Sequence, residues 1–157
     1  MLKINRKLSV TISIVLTALM LLGTFALAFF LPSFIEYLLK LPDMNGALLN
    51  LTAAQRTIVY VAAYTELFLM ASGLGMLFAL LLLVKRGSVF TKAAVELIRY
   101  ISWCLIFMGF IMMSLAFLTL IAVVAGAAVL FVGLAIRVVK NVIEEAVYIK
   151  EENDLTV

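Results

Sequence analysis

Four apolar stretches, at residues 8–31, 58–84, 97–118 and 121–139, take up most of this chain. Each is close to or above the ~20 residues that a helix needs to cross the hydrocarbon of a bilayer. Lipid offers the backbone no hydrogen-bonding partner, so a spanning segment must satisfy its own N–H and C=O groups, and runs of this length do so as helices. The expected fold class is therefore all-α: a four-transmembrane-helix bundle, with residues 1–157 forming one integral membrane domain. Composition agrees, because 66% of the residues are hydrophobic and 13% charged, against about 25% charged in a soluble domain. Four spans and their connections leave no room for a soluble domain of ordinary size.

The loops sort their cations. Lys3, Arg6 and Lys7 precede the first stretch, Lys85, Arg86, Lys92 and Arg99 surround the second connection, and Arg137, Lys140 and Lys150 follow the fourth stretch. The other side carries only Lys40 and Arg56. The positive-inside rule then places both termini in the cytoplasm. These clusters are read as topology signals and contacts to anionic lipid, with no direct nucleic-acid binding. The N-terminal run ending in Ala26-Leu27-Ala28 has the look of a secretory signal, but it continues through Phe29, Phe30 and Leu31, beyond the 7–15 residues typical of a signal's apolar region. It is expected to stay as the first span.

Along the chain, Pro32 is expected to end the first helix near Leu31. Ser33-Phe-Ile-Glu36 then reads as a capping box for a short outer helix lying in the interface, with Tyr37 and Lys40 at headgroup depth. Asp43-Met-Asn-Gly46 is a turn signal. Thr52-Ala-Ala-Gln55 is a second capping box, starting a long second helix that projects past the hydrocarbon and ends at Gly87-Ser88. Asn50-Leu51-Thr52 matches a glycosylation acceptor, a pattern of low specificity. Ser88 or Thr91 caps the third helix. Around Thr119 polarity hardly rises, so the turn between the third and fourth helices must be tight. Val139, Val142, Ile143, Ala146 and Ile149 continue at helical spacing beyond the last span, with Lys140 and Glu144 as an i,i+4 pair. This predicts a cytoplasmic extension of the last helix, ending in the acidic run Glu151-Glu152-Asn153-Asp154.

Glu66 is the most unusual residue. If its span begins near Ile58 it lies about 12 Å below the boundary, where an ionised carboxylate is costly and the group is expected to be protonated and turned toward other helices. Val59, Ala62, Ala63, Met70 and Gly73 share its face, a stripe suited to close packing. Counting depth along the other helices brings Thr24 and Ser114 to a similar level, giving an intramembrane polar cluster of Glu66, Thr24 and Ser114. Ala122, Gly126, Gly133 and Arg137 form a second small-residue face on the last helix. It is a packing seam that joins helices either within one chain or between two copies, so a homodimer stays open. Glu96 and Arg99, three apart, are expected to pair.

Nothing points to catalysis. The chain has no histidine and one cysteine, Cys104, so Ser102, Cys104 and Ser114 lack the usual base, and no metal-ligand or cofactor constellation is seen. No catalytic residues, metal site or cofactor are assigned.

The hairpin Gly87-Ser88-Val89-Phe90-Thr91, the following Arg99, and the closing run through Glu151-Glu152-Asn153-Asp154-Leu155-Thr156-Val157 resemble a family of small bacterial four-helix membrane proteins catalogued only as a domain of unknown function. Members of that family are often encoded beside a small Cro/C1-type helix-turn-helix regulator. The resemblance implies a bacterial cytoplasmic-membrane protein that acts as a regulatory or sensory partner of such a regulator. The partner-binding candidates are Phe90, Thr91, Glu151, Glu152, Asn153 and Asp154. Two other readings remain at this point: a small transporter or immunity-type protein using Glu66, and a membrane assembly factor.

Overall fold

A computed structural model describes residues 6–40, 51–88 and 90–155. The turn signal at Asp43-Met-Asn-Gly46, Asn50 of the glycosylation pattern and Lys3 lie outside the described residues, as does the side chain of Asp154. Four helices carry the fold: α1 (Arg6–Leu39), α2 (Ala53–Lys85), α3 (Lys92–Ser114) and α4 (Leu120–Leu155). All four are long and apolar enough to cross a membrane, and the protein is a multi-pass membrane protein. Close packing falls between consecutive helices, most extensively between α3 and α4.

Helix boundaries follow local chemistry. Thr52 caps α2: its hydroxyl accepts from the Gln55 amide, while the Gln55 side chain accepts from the Thr52 amide at 2.9 Å. The expected capping box is present. At the other end Gly87 takes φ +81°, and the amides of Gly87 and Ser88 bond back to Val84 and Leu83. That is the reciprocal pattern in which a left-handed glycine satisfies the last carbonyls of a helix. Thr91 caps α3, accepting from the Ala94 amide at 3.3 Å. A single 3-10 turn (Leu115–Phe117) and Leu118-Thr119 reverse the chain into α4, with Thr119 Oγ1 accepting from the Ile121 amide.

One boundary differs from expectation. α1 passes straight through Pro32 to Leu39, so residues 33–39 are the end of α1 and not a separate interfacial helix. Pro32 removes one amide, leaving the Ala28 carbonyl without its i+4 donor. Against that loss, Leu31 and Ile35 are buried on Val59 of α2, with Leu39 and Leu51 packed alongside. Burial of one helical face overrides the local break, and Ser33 and Glu36 become interior positions of α1.

Where backbones meet fixes the register of α3 on α4. A Cβ placed on Gly126 would lie 2.7 Å from the Gly109 carbonyl oxygen, and one on Gly109 would lie 2.9 Å from that of Gly126. Nearer the basic end a Cβ on Gly133 would meet Ile106 at 3.0 Å. The seam on α4 thus joins α4 to α3 within one chain. Beyond it, Arg137 stacks its guanidinium on the Trp103 ring, 4.4 Å from the centroid. Arg99 and Lys92 on α3 then pair with Glu144 and Glu151 on α4.

Candidate functional site

Three places hold polar side chains that the packing alone does not require. The first is the basic end of the α3–α4 pair. Ala94, Val95 and Ile98 on α3 and Val147 on α4 are buried, so the extension of α4 lies on the first turns of α3. Over this apolar floor runs an ionic row: Lys92 to Glu151 at 3.0 Å, Arg99 to Glu144 at 3.1 Å, and Lys140 to Glu144 at 2.6 Å. The hydrogen bond from Lys140, then the attraction of Lys140 and Arg99, hold the Glu144 carboxyl below the usual carboxylate range. Lys92, Glu96, Arg99, Glu144, Tyr148 and Glu151 edge a groove of about 260 Å³ floored by Val95 and Val147.

The i,i+4 pair Lys140–Glu144 forms as expected. The pair Glu96–Arg99 does not: Arg99 reaches Glu144 across the helix interface instead. The i,i+3 spacing offers only a loose contact on one helix, whereas the antiparallel neighbour presents a carboxylate level with the guanidinium.

Of the partner-binding candidates, Phe90 is half-exposed, Thr91 is occupied as the cap of α3, and Glu151 is tied to Lys92. Glu152 and Asn153 are exposed at the end of α4. The hairpin and the acidic run, distant in sequence, meet through the Lys92–Glu151 contact.

The second place is inside the membrane. The Glu66 carboxyl faces the backbone of Met112 on α3, and its Oε1 is buried with no hydrogen-bond partner. The hydroxyls expected to join it point elsewhere. Thr24 is buried and donates to the Met20 carbonyl at 2.9 Å, and Ser114 donates to that of Ile111 at 2.7 Å. Both bond within their own helix, as Ser and Thr do when no cross-helix partner is in reach. Ser102, fully buried, likewise donates to the Arg99 carbonyl at 2.7 Å.

A third cluster went unread in the sequence. At the end opposite the basic one, Glu36 of α1 accepts from Arg56 and, at 2.8 Å, from the Tyr60 hydroxyl of α2. These two bonds hold the Glu36 carboxyl below its ordinary range, the tyrosine contributing most. The available signal was the scarcity of charge on that side: an acid and a base standing nearly alone on two helices that must be antiparallel.

No curated protein and no solved structure matches this chain. The family match that does exist takes in α2, α3 and α4 and leaves α1 outside it. Residues 43–157 match the family described as a protein of unknown function (DUF2975), and with most of its length covered the chain belongs to that family.

Proposed function

We propose that this protein is a bacterial cytoplasmic-membrane regulatory or sensory partner of a small soluble transcriptional regulator, with both termini inside and no catalytic step of its own. The observation that carries the reading is the meeting of the start of α3, directly after the α2–α3 hairpin, with the end of α4 in one ionic surface at the basic end, through Lys92 and Glu151. Such a surface suits a soluble partner approaching from the basic side. The resemblance to proteins encoded beside a helix-turn-helix regulator supplies the partner's class.

The test is affinity capture with in-cell crosslinking from native membranes. It compares the full chain with a form truncated after Lys140 and with a triple Glu151→Ala, Glu152→Ala, Asp154→Ala variant. The full chain should recover the regulator and both altered forms should lose it. Equal recovery by all three sinks the assignment.

The unpartnered oxygen of Glu66 favours a second reading, in which the carboxyl lines a proton or substrate path or supports immunity to a membrane-active peptide. Intramembrane carboxyls mark such paths in pumps and transporters. Glu66→Gln should then abolish proton-coupled uptake or protection, and full activity in that variant makes the carboxyl structural.

A further inference from the structure

The contacts between helices allow their depths to be compared. Glu36 of α1 meets Arg56 and Tyr60 of α2, Gly73 of α2 lies over Cys104 of α3, and Lys92 and Arg99 of α3 meet Glu151 and Glu144 of α4. Counting equally along each antiparallel pair from these contacts puts Ile12, Leu82, Val95 and Tyr148 at one level. The same count puts Glu36, Ile58 and the Thr119 turn at another.

At the Thr119 level the apolar parts of all four helices end together. At the basic end they do not. On α3 and α4 charge begins at Arg99 and Arg137, so their apolar length from the Thr119 turn is about 28 Å, close to the hydrocarbon of a bilayer. On α2 the run Phe78-Ala-Leu-Leu-Leu-Leu-Val84 continues to Lys85, level with Lys92 and Glu151, and α1 stays free of charge down to Leu8. Their apolar length is about 40 Å. The excess, about 12 Å at the basic end, stands level with the ionic row of α3 and α4.

We infer that the bundle presents two hydrophobic thicknesses to the bilayer: a short side, α3–α4, whose ionic row sits in the headgroup layer, and a long side, α1–α2, whose extra apolar length is covered by lipid acyl chains drawn past the ordinary boundary. The charges decide the depth. Lys92, Glu96, Arg99, Lys140, Glu144 and Glu151 cannot be carried into hydrocarbon as cheaply as a few apolar turns can be covered by a local thickening. Lipid is the occupant of the α1 face because that face runs on without a break from the membrane-spanning surface of the same helix. Leu8, Ile12, Val15, Leu16 and Leu19 are all more than half exposed. Thr11, Ile12, Val15, Leu16 and Leu19 line an apolar groove of about 270 Å³ along it.

The inference deepens the proposed sensory role by naming the property sensed, the thickness of the bilayer on the basic side. Its test involves no protein partner, so the two readings fail separately.

Nitroxide labels are placed one at a time at Ile12→Cys and Tyr148→Cys on a Cys104→Ala background. These positions are level with each other by the same count, and both are exposed, one on α1 and the other on α4. In bilayers of 18-carbon monounsaturated phosphatidylcholine, the label at position 12 should be accessible to oxygen and shielded from a water-soluble nickel chelate, and the label at 148 the reverse. Thinning the bilayer from 22 to 14 carbons should move label 12 toward the aqueous pattern and leave label 148 unchanged. Both labels in lipid, both in water, or both shifting together overturns the inference. Val15→Cys and Glu145→Cys, also level and exposed, form a second pair should either first variant fail to fold.

Discussion

The α3–α4 crossing at Gly109 and Gly126 makes the sharpest demand on sequence, and Gly126→Ala tests it. The added methyl would sit 2.7 Å from the Gly109 carbonyl oxygen and 2.7 Å from Met113 Cγ, with the Met113 amide nitrogen at 2.9 Å. Met113 can swing aside, but two of these neighbours belong to the backbone of α3, so the helices must part by roughly 0.5–1 Å. Overpacking of this kind costs about 1–3 kcal/mol, and the better helix propensity of alanine offsets up to about 1 kcal/mol of it. The expected result is a net loss of about 1–2 kcal/mol in the unfolding free energy, measured by detergent denaturation in bicelles. Gly23→Ala is the matched control, because nothing lies within 4 Å of its would-be Cβ. There the propensity gain stands alone and the change should be neutral or stabilising. The contact is reciprocal, so Gly109→Ala combined with Gly126→Ala should lose less than the two singles together, with a coupling of about 0.5 kcal/mol or more. A Gly126→Ala protein as stable as Gly23→Ala would refute the crossing.

Other consequences follow from single contacts. Gly87→Ala forces a side chain into φ +81° and should cost about 1 kcal/mol in the same assay. Thr91→Ala removes the cap of α3 and should cost about 1 kcal/mol, with faster amide exchange confined to the first turn of α3. Arg137→Ala strips the cation from the face of Trp103; since Trp103 is the sole tryptophan, its emission should shift, with a loss of about 0.5–1 kcal/mol. The lowered Glu144 carboxyl contributes stability above the unfolded carboxylate range, near pH 4, and loses it as pH falls through its folded value. Because pairs this exposed contribute little, the unfolding free energy should fall only slightly on that acid limb, and a spin label at Glu145→Cys should keep its mobility.

Much of this architecture was readable from the chain. The start of α2 follows from Thr52 and Gln55, its end from Gly87, and the tight α3–α4 turn from the lack of polar residues around Thr119, because each of these signals acts over a few residues. Pro32 misled for the opposite reason: its local preference was overruled by the burial of Leu31 and Ile35 on a helix more than twenty positions away. The α4 seam was visible through Gly126 and Gly133, but its partner was not, since α3 answers with the lone Gly109 and no repeating pattern. Depth counting placed Thr24 and Ser114 near Glu66, yet depth says nothing about rotation around the helix axis, and both hydroxyls bond within their own helices. The Glu36–Arg56–Tyr60 cluster and the Arg99–Glu144 pair required the helix register itself, set between α1 and α2 by the packing of Leu31 and Ile35 on Val59 and between α3 and α4 by backbone contact at glycines.

That register also bears on how the acidic end of α4 should be tested. Lys92 and Glu151 pair with their side chains 78% and 48% exposed, and ion pairs so placed contribute about 0–1 kcal/mol each. The burial of Val147 against Ala94, Val95 and Ile98 therefore holds α4 on α3, and the ionic row above it adds little to that adhesion. Reversing charge at Glu151 leaves the helix docked and alters only what the groove presents to a partner. A loss of regulator capture in such a variant, with the mobility of α4 unchanged, is then an effect on recognition. Truncation after Lys140 removes Val147 as well and exposes Val95 and Ile98, so that form alone cannot separate recognition from folding. The substitutions at Glu151, Glu152 and Asp154 are the discriminating arm of the capture experiment.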